Sequence, residues 1–187
     1  MDTWVFIAIA IAVVIVIALV ALSGRRARQK KVEQRFGPEY ERKVEETGSS
    51  QAAVSELRER EKRRRALDIR PLDPAALERH QESWRRAQAH FVDHPGEVIR
   101  DADSLVQAVM RERGYPVEDF EQRAADISVD HPHVVGNYRA AHEIAASNEQ
   151  GEATTEDLRQ AMVHYRALFE ELLEAGTSRA GRSEGAR

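Results

Sequence analysis

The chain of 187 residues contains no cysteine. Disulfide bonds, thiolate nucleophiles and cysteine zinc sites are therefore excluded, and so is a bacterial lipoprotein, whose acylated residue is a cysteine. Aromatic residues make up only 6% of the sequence, whereas charged residues make up 32%. β-Strands favour aromatic and β-branched residues, and no window alternates polar and apolar residues between turn signals. The composition therefore predicts an all-α protein.

Local motifs of known chemistry are also missing from the sequence. It contains no glycine-rich phosphate loop and no Gly-x-Ser-x-Gly segment. His142-Glu143 begins like a zinc-protease motif, but Ala146 stands where the second histidine is required. The sequence therefore predicts no cofactor and no catalytic residue, and it favours a protein that is not an enzyme.

A long apolar run occupies the N-terminal end of the chain. Residues 4–22, WVFIAIAIAVVIVIALVAL, carry no charge. As a helix they would cover roughly 28 Å, close to the hydrocarbon thickness of a bilayer at about 30 Å. A buried core helix would show a polar face, and this run shows none. We therefore predict a transmembrane anchor over residues 1–24.

The charges on either side of the run predict its orientation. A signal peptide needs a basic start, whereas this chain starts with Met1-Asp2. The basic residues follow the run, before the next acid: Arg25, Arg26, Arg28, Lys30 and Lys31. The positive-inside rule then places the N-terminus outside and the rest in the cytoplasm, at the inner membrane and in contact with lipid. The small residues Ala21 and Ser23 leave secretion after signal cleavage as the alternative.

Charge also divides the rest of the chain. Residues 25–72 contain 15 basic and 9 acidic residues, and residues 73–187 contain 13 basic and 22 acidic residues. A basic segment is attracted to an anionic leaflet and an acidic one is repelled. We therefore predict a basic juxtamembrane helical stem over 25–72 and a bundle of about five helices over 73–175. The small, polar residues of 176–187 predict a disordered tail.

The densest basic segment is Arg58–Arg65, with the sequence REREKRRR. Binding of lipid or nucleic acid is one interpretation, and a solvated helix with the ion pairs Glu59–Arg63 and Glu61–Arg65 is the other. No aromatic residue is interleaved for base stacking. The pattern favours the solvated helix over nucleic acid, and a lipid- or nucleic-acid-binding regulator is kept as an alternative.

Several helix ends are marked by local signals. Asp73-Pro74 is typical of a helix start, and Thr154 with Asp157 resembles a capping box. Gly114 is typical of a helix end. Asp119 begins a short helix, and Asp130 is predicted to cap the next one.

Three histidines lie between Asp126 and His142. If Asp130 starts a helix, His131 and His133 point about 200° apart and His142 lies about 16 Å further along the axis. Zinc requires ligand nitrogens at about 2 Å. The spacing therefore favours a helix start, and a metal-dependent enzyme that uses His131, His133 and a carboxylate is the alternative.

Five segments carry a resemblance to a known group of proteins: RFGPEYERKVEETG, LDIRPL, MRERGYPVEDFEQRAADISVDHP, NYRAAHEIA and TEDLRQAMVHYRALFEELL. They resemble a family of actinobacterial helical proteins, single-pass in the membrane or secreted, with no established activity. The resemblance implies a bacterial inner-membrane setting and an all-helical body, and it assigns no catalytic residue.

Together these features predict a membrane-anchored module for protein interaction or scaffolding at the cytoplasmic face, with a protein partner that the sequence does not identify. The interaction candidates lie around the turns between helices: Tyr115, Pro116, Phe120, Asp130 and Tyr138. Each of them also has a structural role as its alternative.

Overall fold

The structure, a computed structural model, describes residues 4, 16, 19, 23, 24 and 26–184. These residues lie in helices or in the segments that join them, and none of them is in a strand. The all-α prediction is therefore confirmed for this part of the chain. The prediction of a membrane helix concerns residues 4–22, most of which lie outside the described residues. Where the structure does describe the chain, no helix is both long enough and apolar enough to cross a bilayer.

Eight helices lie within residues 26–184. They are α1 (26–36), α2 (Pro38–Thr47), α3 (Ser50–Ala66), α4 (Pro74–His90), α5 (Pro95–Arg113), α6 (Phe120–Asp130), α7 (Val135–Glu149) and α8 (Thr155–Glu184). Helices α4 to α8 match the five predicted for the bundle. Helix α8 extends into residues 176–187, for which the sequence predicts a disordered tail.

Contacts divide the chain into two compact units, Met1–Arg58 and Glu59–Arg187. The division falls inside α3, whereas charge predicts a boundary between residues 72 and 73, which stays a prediction. In the first unit Gly37 separates α1 from α2 in a conformation (φ 48°) that favours glycine. Buried Lys43 of α2 forms an ion pair with Glu56 of α3 at 2.8 Å.

The second unit is built around α8. Helix α8 packs against α7 and α5, and α4 packs against α5. The rings of Trp84 and Phe169 stack with their centroids 4.6 Å apart. Tyr138, Leu168 and Ile99 are fully buried in the same core. The amphipathic patterns of α4, α5 and α8 thus meet in one apolar interior, which holds the polar groups described below.

Most of the predicted helix ends are confirmed. The Asp73 carboxylate accepts a hydrogen bond from the Ala76 amide at 2.8 Å. Thr154 and Asp157 exchange hydrogen bonds at the start of α8. Gly114 ends α5 with φ 96°.

The prediction that Asp130 caps α7 is wrong. Asp130 is the last residue of α6, and α7 begins at Val135 after a turn. Ile127 and Val129 are both buried, so the apolar face of α6 continues through them and carries the helix to Asp130. Pro132 then disfavours a helical conformation at the residue before it.

The segment between α3 and α4 is fixed to the end of α5 by backbone contacts. The Arg70 amide donates to the Arg113 carbonyl at 2.9 Å. The Asp68 carbonyl lies so close to Gly114 that a Cβ there would be 2.4 Å from it. Gly114 is therefore required both by its positive φ and by this approach.

Replacing Gly114 by alanine should destabilise the second unit by more than about 2 kcal/mol, because strain at positive φ adds to the clash with Asp68. Gly136 of α7 is the matched control, since a Cβ there meets nothing within 4 Å. Gly136→Ala should stabilise by about 0.4–1 kcal/mol. Urea unfolding followed by Trp84 fluorescence in a Trp4→Phe background measures both. Equal effects of the two substitutions would contradict the assignment.

Candidate functional site

Six polar and aromatic side chains meet where α6 ends. This cluster, the α6 corner, consists of Arg64, Arg113, Tyr115, Asp130, His131 and Glu171. Helix α3 supplies Arg64, α5 supplies Arg113, and α8 supplies Glu171. Four helices and the segment after α5 therefore contribute to one site.

The Asp130 carboxylate is the acceptor at the centre of the corner. Its Oδ2 accepts hydrogen bonds from the Tyr115 hydroxyl at 2.6 Å and from the Arg64 Nε. A carboxylate at a helix C-terminus is disfavoured by the helix dipole, and a cation there is favoured. The Arg64 guanidinium therefore offsets the unfavourable position of Asp130.

Two guanidinium groups lie over the Tyr115 ring. The Cζ atoms of Arg64 and Arg113 lie 5.8 and 5.7 Å from the ring centroid. Such cation–π contacts gain strength when the groups are desolvated. Burial raises the pKa of Tyr115, and the charge of Asp130 raises it further. The hydroxyl therefore stays protonated and remains a donor.

Arg113 connects three segments of the second unit although only 4% of its surface is exposed. Its Nη1 donates to the Leu172 carbonyl of α8 at 2.8 Å. Its Nε donates to the Arg70 carbonyl at 3.4 Å. The buried charge is thus solvated by backbone carbonyls, as a buried cation requires.

His131 lies beside Asp130 and is 3% exposed. Its Nδ1 lies 2.9 Å from Glu171 Oε1, and its Nε2 is buried without a hydrogen-bond partner among the described residues. Burial lowers the pKa of His131, although the neighbouring Glu171 carboxylate acts in the opposite direction. The ring is therefore neutral at neutral pH, with Nδ1–H as the donor to Glu171.

The structure brings His131 and His133 to the same carboxylate, contrary to the helical geometry assumed from the sequence. His133 Nε2 lies 3.7 Å from Glu171 Oε1, and residues 132–134 form a turn. Within the described ranges, however, no three histidine, aspartate or glutamate side chains are grouped so that they could hold a metal ion. A metal-dependent role of His131 and His133 therefore stays a prediction.

A second polar cluster lies inside the bundle. The buried Arg123 donates from Nε to the Tyr138 hydroxyl at 2.9 Å and lies over the Phe120 ring. Burial raises the pKa of Tyr138 to about 12. Burial raises the pKa of Tyr165, and the nearby Asp103 carboxylate raises it further through its charge and its proximity to the hydroxyl. The Tyr165 hydroxyl and Asp103 Oδ1 are both buried and are outside strict hydrogen-bond geometry with any described residue.

An open groove of about 410 Å³ lies between α4 and α5. Its lining residues are Ser83, Arg86, Ala87, His90, Asp101, Ser104 and Leu105. Arg86 donates to the Ser83 hydroxyl at 3.2 Å. No hydrogen bond joins His90 to a serine or to Asp101 among the residues described, so the groove does not contain an assembled serine nucleophile and base.

The five interaction candidates are positioned mainly by contacts inside the second unit. Tyr115 and Asp130 belong to the α6 corner, and Tyr138 and Phe120 belong to the interior cluster. Pro116 is partly exposed and belongs to neither. Tyr115 and Tyr138 are buried, so neither side chain is accessible on the surface. A role of the five in partner binding stays a prediction.

The interpretation of Arg58–Arg65 as a solvated helix is wrong for two of its residues. Arg60 is buried and donates to the Ser128 hydroxyl at 3.3 Å, and Arg64 reaches Asp130. The predicted pair Glu61–Arg65 is present at 3.8 Å, whereas Glu59 lies 3.9 Å from Lys62. One face of this helical segment therefore contacts α6, and the opposite face is exposed to solvent.

Sequence reasoning missed Arg64, Arg113 and Glu171 as members of a site. Arg64 follows Arg60 by four residues and so shares its helix face, which was a usable signal. Nothing local marks Glu171, because its partner His131 is 40 residues away.

Comparison of the chain with protein-family models, curated proteins and solved structures gives no match. The resemblance to actinobacterial helical proteins therefore stays a prediction.

Replacing Tyr138 by phenylalanine should destabilise the second unit by about 1–3 kcal/mol, because the Arg123 Nε loses its buried acceptor. Tyr165→Phe is the matched control. It removes a buried hydroxyl that lies near Asp103 but outside strict hydrogen-bond geometry, so the free energy of unfolding should fall by less than in Tyr138→Phe. Chemical unfolding followed by Trp84 fluorescence measures both variants. A larger loss from Tyr165→Phe than from Tyr138→Phe would refute this account of the interior cluster.

Proposed function

We propose that the chain is a single-pass, membrane-anchored helical protein that serves protein interaction or scaffolding at the cytoplasmic face of the inner membrane. In this proposal residues 4–22 cross the bilayer, the basic residues after them contact anionic lipid, and the second unit binds a protein partner. The apolar surface and charge of the first unit support the anchor, and a groove in the second unit supports the partner.

The described residues of the apolar run expose large apolar surfaces. Trp4, Val16 and Leu19 are 68%, 58% and 61% exposed. Exposed large apolar side chains on one segment are typical of a membrane or partner contact. Because the run lacks any charged residue over 19 positions, lipid is the environment that suits it best. This exposed apolar surface is the observation that carries the proposal.

Helix α1 presents basic residues beside that run. Its buried residues Val32 and Phe36 occupy one side. The exposed cations cover about 200° of the remaining surface at 3.6 residues per turn; they are Arg26, Arg28, Lys30, Lys31 and Arg35. Each cation near an anionic leaflet contributes about 1 kcal/mol. Arg25, the first residue of the predicted flank, lies outside the described residues.

The groove between α4 and α5 supports the interaction role. Its floor contains the apolar residues Ala87 and Leu105, and its rim contains Arg86 and Asp101, charges of opposite sign. Val92, in the turn that joins the two helices, is 86% exposed. An apolar centre with a polar rim is the usual composition of a protein interface. The groove therefore suits a segment with an apolar side chain between an acidic and a basic group.

The absence of cysteine allows a direct test of the topology. Thr3→Cys and Val92→Cys each introduce a single thiol into the full chain. On intact cells a membrane-impermeant maleimide should label Thr3→Cys, and it should label Val92→Cys only after permeabilisation, because the N-terminus is outside. The parent chain controls for background. Labelling of Val92→Cys on intact cells, or a trimmed chain in the culture fluid, contradicts the anchor.

Site-specific photo-crosslinking tests the interaction role. A photoreactive amino acid replaces Val92 beside the groove or, as the matched control, Val163 on α8, which is 41% exposed. Val92 should give a discrete adduct that Val163 does not give. Arg86→Glu should reduce the yield of this adduct several-fold, because it reverses one charge of the rim. Identical adducts from both positions, or a yield that Arg86→Glu leaves unchanged, argue against the groove.

A further inference from the structure

We propose that the α6 corner is a pH-operated latch, which holds residues 59–66 of α3 on the second unit while His131 is neutral and releases them when its imidazole gains a proton. The inference is independent of the proposed anchor and partner, because every residue that carries it belongs to the second unit.

Residues 59–66 are attached by polar contacts. None of these eight residues is a buried apolar residue. Two contacts join them to α6: Arg60 to the Ser128 hydroxyl and Arg64 to the Asp130 carboxylate. Arg60 and Glu61 also make further polar contacts. Both acceptors lie in the last turn of α6, one on each side of Val129. Attachment of this segment to α6 therefore depends on the position and charge of that turn.

His131 ends the same turn. Its amide donates to the Ile127 carbonyl at 2.8 Å, so the backbone of His131 closes the turn that carries Ser128 and Asp130. Its Nδ1 contacts Glu171, and its buried Nε2 has no partner in the described part of the chain. In this latch, displacement of the buried ring shifts the turn that holds residues 59–66.

A proton on Nε2 makes both ring nitrogens donors and places a cation in this buried position. The charged groups that face the ring are Glu171 of α8, Asp130 of α6 and Arg113 of α5. His133, in the following turn, approaches the same Glu171 oxygen. Arg113 repels the imidazolium, whereas Glu171, at Nδ1, and the nearby Asp130 carboxylate attract it.

The new Nε2–H can be satisfied in two ways. The ring can move outward to water, or Asp130 can turn towards it. In this latch both movements take the Asp130 carboxylate away from Arg64, because Asp130 either turns itself or follows the displaced backbone of His131. A buried donor without an acceptor costs about 1–3 kcal/mol, so the imidazolium favours this rearrangement.

The sign of the pH dependence follows from burial. Because burial lowers the pKa of His131 from 6.5, the closed corner favours the neutral ring. The stabilisation of the closed state is complete above pH 6.5 and is lost as the pH falls towards the lowered pKa. The latch therefore opens on acidification.

Hydrogen exchange of the full chain in lipid nanodiscs tests the latch. Exchange of residues 59–66, corrected for the intrinsic effect of pH, is compared with that of residues 98–110 of α5. The opening ratio is the population of the exchange-competent state divided by that of the protected state. As the pH falls from about 7.5 to 5.5, the opening ratio of residues 59–66 should rise about five- to tenfold. About tenfold is the limit for one proton whose pKa in the open state is 6.5. The opening ratio of residues 98–110 should stay within twofold.

His131→Gln keeps a polar side chain and removes the titration, so the rise should disappear. His133→Gln is the matched control, because His133 faces the same carboxylate from an exposed position, and the rise should persist. If His131→Gln does not fold, His131→Asn replaces it, and the rise should again disappear. A native opening ratio that is flat with pH, or a rise that survives His131→Gln or His131→Asn, would overturn the proposal.

Discussion

The second unit depends on a carboxylate placed where a helix does not favour one. Asp130 ends α6 at the negative end of the helix dipole, and a neighbouring cation and hydroxyl offset this unfavourable position. Arg64 and Tyr115 supply them, so α3 and the segment after α5 are both held at this point. Contacts from α3 and from the segment after α5 thereby compensate the unfavourable interaction of Asp130 with the helix dipole, and they position the residues of the α6 corner.

Buried arginines organise the polar interior of the bundle. Arg113 donates to carbonyls of two distant segments, and Arg123 donates to the Val117 carbonyl and the Tyr138 hydroxyl. Guanidinium groups suit this role because they are planar and carry five donors in fixed directions. Each side chain replaces water by several acceptors at once. The apolar core around α8 can therefore include charged groups without leaving most of their donors unsatisfied.

The sequence predicts those features that depend on neighbours along the chain. Asp73, Gly114 and the Thr154–Asp157 pair were located correctly because a cap requires only the next few residues. Asp130 has the same local pattern, with a proline two residues later, yet it ends a helix because the buried face of α6 reaches it. The site itself could not be predicted, since Arg64 and Asp130 are 66 residues apart and no local pattern joins them.

The contact with Tyr115 distinguishes position 64 from position 62, although both positions carry a basic residue in Arg58–Arg65. Lys62 is largely in solvent, where the identity of the positive group matters little. At position 64 one group contacts an aromatic ring and donates from Nε to a carboxylate, and a lysine ammonium has neither the planar surface nor the Nε donor. The shape of the cation therefore matters at position 64, whereas only its charge matters at position 62. Exchange between lysine and arginine is accordingly conservative at position 62 and disruptive at position 64.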